Sequence, residues 1–326
     1  MARNVQIRKK TAILLLAATC MMSGCQKEVT LDHGYEFENR LDHFADKNDG
    51  RDGFSDAFAE EICVAYAVDE TETALTADAA GVFEIGGGDA VFERNVFARM
   101  NPASTTKIMT AIVAMKYGNL DDLVTVTDAS IITESGSSMA GVKPGDVMSL
   151  EDLLFGLMIP SGNDAANAIA VHVGGSIDAF AEMMNTEAKR IGATATHFVN
   201  ANGLTDPNHY TTAYDLYLMF NEALKYDKFR EIIGAHDHIA EYTDGNGETR
   251  TATWGVGNYY MNGKTETPDG LTVFGGKTGT TQAAGYCLIM GTRTENGKEY
   301  ASVIMKADSR NALYKDMTEI ITKIDK

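Results

Sequence analysis

Two apolar, strand-like runs, residues 285–293 and 300–306, are joined by Glu295-Asn296-Gly297-Lys298, and Asn-Gly between such runs is a strong hairpin signal. A shorter run at 272–274 precedes them. At the other end of the folded part, 62–68 and 90–93 also read as strands, with Gly86-Gly87-Gly88 as a turn before the second. Between these ends the apolar spacing is helical. Residues 104–117 stop at Gly118, 151–159 are ended by Pro160, and 164–173, 177–191 and 212–225 continue the pattern. An amphipathic helix over 311–324 closes the chain. Strands at both ends with helices between them predict an α/β (α+β) fold. One largely antiparallel sheet is assembled from both chain ends, flanked by helices, with a helical insertion.

The 326 residues are 44% apolar and 23% charged, which rules out disorder throughout and suits one large domain or two modest ones. A net charge of −18 argues against a nucleic-acid partner, because no basic groove exists to neutralise phosphates. Arg3, Arg8, Lys9 and Lys10 form a basic start, followed by an apolar run at 12–18. That run falls short of the about 20 residues a bilayer core requires. It leads to Met22-Ser23-Gly24-Cys25, which resembles a bacterial lipobox. On this reading 1–24 is a lipoprotein signal peptide and Cys25 carries the lipid that anchors the protein to the outer face of a bacterial membrane. The other reading is an ordinary signal peptide with an incidental cysteine. Residues 25–60, rich in Asp and Glu and poor in aliphatics, read as an acidic flexible tether. That leaves 61–326 as the folded domain. Cys63 and Cys287 lie in strand-like runs, where small buried hydrophobes are the default; sequence leaves a bridge between them open.

Three short motifs carry chemistry. Ser104-Thr105-Thr106-Lys107 follows Asn101-Pro102-Ala103, and Pro102 places the helix start near Ser104. There, free N–H groups and the helix dipole favour developing negative charge. Spacing i, i+3 puts Lys107 one turn on, on the same face. A serine needs a neighbouring base, and a lysine serves only if burial or a second cation lowers its pKa. Alone, Ser-x-x-Lys means little, since roughly one match is expected in a chain this long. Ser161-Gly162-Asn163, after Pro160, puts a hydroxyl and a carboxamide on a tight turn, a composition equally suited to helix capping. Lys277-Thr278-Gly279-Thr280 follows the run at 272–274. It offers an ammonium, two hydroxyls and a glycine against which an anionic ligand can lie. Lys264-Thr265-Glu266 lacks the glycine and reads as a decoy. The conjunction decides: Ser-x-x-Lys, Ser-x-Asn and Lys-Thr-Gly in this order resemble the signature of penicillin-binding proteins and class A β-lactamases.

Longer stretches sharpen the likeness. Pro102-Ala103-Ser104-Thr105-Thr106-Lys107-Ile108-Met109-Thr110, Ser135-Gly136-Ser137-Ser138-Met139, Pro160-Ser161-Gly162-Asn163-Asp164-Ala165-Ala166 and Asp206-Pro207-Asn208-His209-Tyr210-Thr211-Thr212-Ala213 resemble serine-type D-alanyl-D-alanine carboxypeptidases, the low-molecular-mass penicillin-binding proteins. The resemblance spans about 91–304 and implies a transpeptidase/β-lactamase-like fold acting on peptidoglycan stem peptides ending in D-Ala-D-Ala. It implies Ser104 as the acylated nucleophile, Lys107 as its base and Ser161 as a proton relay. Asn163 would bind the peptide backbone, and Lys277 with the Thr278 and Thr280 hydroxyls would hold the terminal carboxylate beside Gly279. The backbone N–H groups of Ser104 and Thr280 would form the oxyanion hole, with Lys277 depressing the pKa of Lys107. β-Lactams would act as covalent inhibitors. The implied chemistry needs no cofactor or metal.

The departures from the family pattern are specific. The stretch 69–88 is longer and more Ala-rich than the usual first hairpin, and Asn202-Gly203 stands where many relatives have His-Gly. After Lys306 only a helix is expected, in place of the β-rich C-terminal domain of some relatives. His236-Asp237-His238 could ligate a metal but has no third ligand nearby, and reads as strand surface. His209 reads as bracing the loop before the helix at 212. The rival readings are a class A-like serine β-lactamase and a non-catalytic penicillin-binding sensor. The first has Asp where this chain has Gly162 and needs a Glu-x-x-Leu-Asn segment, which is not evident.

Overall fold

The computed structural model describes residues 62–66 and 74–325. The expected signal segment, Cys25 and the expected acidic tether lie outside the described residues. Among the described residues no helix is long and apolar enough to cross a membrane.

The C-terminal hairpin forms as expected, with β8 (Gly285–Thr294) antiparallel to β9 (Glu299–Ala307). On their outer sides lie β7 (Leu271–Thr281) and β1 (Ala79–Glu84), and β2 (Phe92–Arg94) completes a five-stranded antiparallel sheet of order β2-β1-β9-β8-β7. Helices cover both faces, so the middle strands read as continuous apolar runs. Ile289, Val303 and Met305 face the larger core, where α1 (Lys107–Tyr117), α3 (Asn163–Gly174) and α5 (Ala213–Ala223) pack. Leu288, Met290 and Ile304 face a smaller core closed by Leu313, Met317 and Ile320 of α7 (Arg310–Ile321). The remaining helices are α2 (Leu150–Met158), α4 (Ile177–Arg190) and α6 (Asp227–Gly234), the last without a counterpart in the sequence reading.

Two strand expectations are corrected. Residues 62–66 form no strand beyond a single bridge of Val64 to Asp89. Side chains take the backbone groups a ladder would use: Cys63 N–H donates to Tyr217 Oη at 2.7 Å, and Cys63 C=O accepts from Tyr214 Oη at 2.9 Å. The sheet starts instead at β1, inside the Ala-rich stretch. The single expected sheet is also joined by a second, four-stranded one of order β3-β4-β5-β6, made by β3 (Leu123–Thr125), β4 (Val147–Ser149), β5 (Asp237–Thr243) and β6 (Thr249–Gly255). Its strands are short or mostly exposed, so they carry no apolar run. His238 on β5 pairs with Asp152 at 2.7 Å and stacks on Phe155. Cys63 and Cys287 are both buried free thiols, and burial raises each to about 11.

Candidate active site

Ser104 sits in a 3-10 turn, Ala103–Thr106, that feeds directly into α1. Pro102 precedes the turn, and Ala103 takes a positive φ of 49°, so the chain bends sharply before the serine. The first two turns of α1, from Lys107 to Ala114, are wholly buried, which carries the Lys107 side chain into the interior at 0% exposure. Its Nζ lies 2.9 Å from Ser104 Oγ, 2.6 Å from Asn163 Oδ1 and 2.7 Å from the Asn202 carbonyl oxygen. Burial, first, and the charge of Lys277, second, hold Lys107 well below the usual ammonium range, against an opposing pull from Asp164. A neutral amine suits these partners. In that form the amine can meet all three, giving its two hydrogens to Asn163 and Asn202 and accepting from the Ser104 hydroxyl.

Asn163 opens α3 and donates its backbone N–H to the Ser138 carbonyl at 2.9 Å. Next to it, Asp164 accepts from the backbone N–H groups of Ala140, Gly141 and Val142 at 2.8, 2.7 and 3.0 Å. These four bonds fasten the 138–142 segment alongside the cleft. Ser161 is left-handed, with φ 64°, and its hydroxyl accepts from Lys277 Nζ at 2.9 Å. A non-glycine residue held there is strained, a condition concentrated at functional sites. Lys277 also donates to the Thr278 carbonyl at 2.8 Å and is 2% exposed. Burial pulls its pKa down to about 7.

The Lys-Thr-Gly run lies within β7, an edge strand of the sheet. Gly279 explains how closely that strand approaches the serine. A Cβ there would lie 2.9 Å from Pro102 O and 3.0 Å from Ser104 N, so any side chain would push the strand off the turn that carries Ser104. Thr278 and Thr280 face a cavity of ≈ 250 Å³ that Ser138, Ser161, Tyr286 and Arg310 also line.

All the residues singled out from the motifs therefore converge, Ser104, Lys107 and Asn163 on one side and Ser161, Lys277, Thr278, Gly279 and Thr280 on the other. Cys25 is outside the described residues. The Lys264 run lies apart, its ammonium 5.0 Å from the Tyr259 ring centroid. Sequence reasoning missed Arg310, which lines the same cavity as the two threonines and whose guanidinium carbon lies 5.9 Å from the Tyr259 ring centroid. A lone arginine after a strand carries no periodic or motif signal. It also gave no role to Asp164 or to the Asn202 carbonyl. The latter is a backbone group, so the departure from His-Gly leaves the contact to Lys107 in place, while the Asn202 side chain donates to Asn167 Oδ1 at 3.0 Å.

A hydroxyl and a buried amine at a helix start, faced across a cleft by a lysine-bearing edge strand of a helix-covered antiparallel sheet, define the transpeptidase-type fold. The crystal structure of the Streptomyces K15 DD-transpeptidase superposes with a TM-score of 0.71 at 30% identity, covering 78% of this chain and 98% of that one. The chain belongs to the D-alanyl-D-alanine carboxypeptidase family, peptidase S11, whose family model matches residues 66–309. It is similar to D-alanyl-D-alanine carboxypeptidase DacF of Bacillus subtilis, 34% identical over 72% of this chain and 58% of that protein. It is also similar to DacC of Escherichia coli, 32% identical over 79% of this chain and 64% of that protein. The chain thus spans less than two thirds of the length of these two relatives.

Proposed function

We propose that this protein removes the terminal D-Ala from peptidoglycan stem peptides ending in D-Ala-D-Ala, through an acyl-enzyme on Ser104. The observation that carries the reading is the buried Lys107 amine, whose Nζ lies 2.9 Å from Ser104 Oγ. Lys107 takes the hydroxyl proton as Oγ attacks the penultimate D-Ala carbonyl. The oxyanion forms against the backbone N–H groups of Ser104 and Thr280, donors of a kind worth about 3 to 4 kcal/mol each. Collapse breaks the peptide bond, and the departing D-Ala amine receives its proton through Ser161, which Lys277 orients. Water then attacks the Ser104 ester, with Lys107 again the base. Asn163 holds the substrate backbone. Lys277, Thr278, Thr280 and Arg310 favour the terminal carboxylate, a preference supported by Thr278, Thr280 and Arg310 lining one cavity and by Lys277 reaching Ser161 on the same wall.

β-Lactams, which present a strained amide and a carboxylate, acylate the same serine. A substrate in the cell wall fits an extracytoplasmic location, and the lipobox-like run supports anchoring through Cys25. The test is release of free D-alanine from a D-Ala-D-Ala peptide by the purified protein, beside covalent labelling by a fluorescent penicillin. Both should be present in the wild type and absent in Ser104→Ala. Labelling that survives Ser104→Ala, or penicillin turnover without D-alanine release, overturns the reading.

A further inference from the structure

The segment 197–212 lies beneath the nucleophile turn and grips it repeatedly. Met100 and Thr211 exchange backbone hydrogen bonds at 2.8 and 2.9 Å. Asn101 Nδ2 donates to the His209 carbonyl at 2.9 Å, and Thr110 Oγ1 to the Ala201 carbonyl at 2.6 Å. Gly203, at φ 87°, packs so closely that a Cβ would sit 2.0 Å from Ala103 O. Only a glycine allows this contact on the residue preceding Ser104.

His209 completes the grip with a side chain, and its two ring nitrogens are assigned by their partners. The Val199 N–H donates to Nδ1 at 3.2 Å, so Nδ1 carries no proton. The proton is then on Nε2, which donates to Thr106 Oγ1 at 2.8 Å. Thr106 lies between Ser104 and Lys107 in the chain, and His209 and Thr106 are both buried, at 1% and 0% exposure. Phe198 packs edge-on against the ring. Burial holds the imidazole down at about 4, with Lys107 and His197 adding to the effect and Asp206 opposing it. The ring is therefore neutral in the working range, as the Val199 contact requires.

We propose that His209 is a positioning residue for the nucleophile, tying the 197–212 segment through Nε2–H and Thr106 Oγ1 to the turn that sets Ser104 against Lys107. The inference rests on the Ser104 acyl-enzyme reading above. His209 touches neither Ser104 nor the cavity, so it acts on the rate of acylation and not on capture of the ligand.

The test measures fluorescent-penicillin labelling of the full chain, separating the maximal acylation rate from the half-saturating concentration. A glutamine amide reaches where Nε2 stood and keeps a donor for Thr106, whereas an asparagine amide reaches only the Nδ1 position. H209N and T106V should each slow maximal acylation roughly 10- to 100-fold, with half-saturation unchanged. H209Q should recover most of the rate, and the H209N/T106V double variant should be no slower than the slower single one. A general packing role would harm H209Q and H209N alike. Equal loss in those two variants, an additive double variant, or T106V at the wild-type rate overturns the proposal, and T106V decides it even if H209N does not fold. A wild type that is not labelled overturns the proposed function together with this inference. Normal wild-type labelling with unaffected variants overturns this inference alone.

Discussion

Replacing Lys277 by methionine should remove activity yet make the protein's stability less sensitive to alkaline pH. The side chain is 2% exposed, and burial lowers its pKa from 10.5 to about 7. In the unfolded chain the ammonium regains water and its ordinary pKa. Between pH 10.5 and 7 the unfolded state therefore binds a proton at Lys277 that the folded state does not. Wild-type stability attributable to this group is complete above 10.5, falls as pH falls through the window, and levels off below about 7. A gap of about 3.5 pH units at 1.36 kcal/mol per unit gives roughly 5 kcal/mol across the whole window. Methionine fills similar space and binds no proton. It leaves Ser161 Oγ and the Thr278 carbonyl without their donor, a cost nearly independent of pH. Urea unfolding of both proteins at pH 7, 8, 9 and 10 cancels the titrations they share. The stability of the wild type minus that of Lys277→Met should rise with pH, with a slope approaching 1.36 kcal/mol per unit. A difference flat over this range means that Lys277 stays charged in the fold, and the burial argument fails.

Three other substitutions probe separate parts of the site. Gly279→Ala forces a Cβ to 2.9 Å from Pro102 O; it should cost about 1 to 3 kcal/mol in urea unfolding and slow penicillin labelling sharply, and near-wild-type labelling would contradict the close approach of strand and turn. Asp164→Asn loses charge-assisted bonds from Ala140, Gly141 and Val142, for about 2 to 4 kcal/mol. Because that carboxylate favours protonated Lys107, the acidic limb of the acylation profile should also move to lower pH, and a move to higher pH refutes the electrostatic assignment. Cys25→Ala should leave the protein outside the membrane fraction, and unchanged fractionation refutes the anchor.

Much of the site was legible because its groups act through residue type at fixed short spacing. Ser104 and Lys107 are one helical turn apart, and Gly279 is marked by its missing side chain. The fold was legible where burial imposes periodicity, as in β8, β9 and the helices of the larger core. The second sheet escaped because β5 and β6 are largely exposed, although Asn246-Gly247 between them repeats the turn signal that revealed the C-terminal hairpin. Arg310, Asp164 and the Asn202 carbonyl escaped for a different reason. Each matters through partners distant in sequence, and nothing local separates such a residue from an ordinary surface or capping group.

The pairing of β1 with β9 also dictates an order of events in biosynthesis. Ala79 and Met305 are partners across the sheet, so the third strand of its spatial order is the last to leave the ribosome. Helices α1 to α6 can form from local sequence, but β1 has its long partner only once β9 has been made, and closing so large a loop carries an entropic cost. β7 docks on β8, which pairs with β9, so Lys277 meets Ser161 only after that closure. A nascent chain stalled before β9 would already contain Ser104 and Lys107, yet lack the sheet on which the opposite wall of the cleft is hung. Activity should therefore appear all at once, at the end of folding, with no working intermediate that could act on a substrate early.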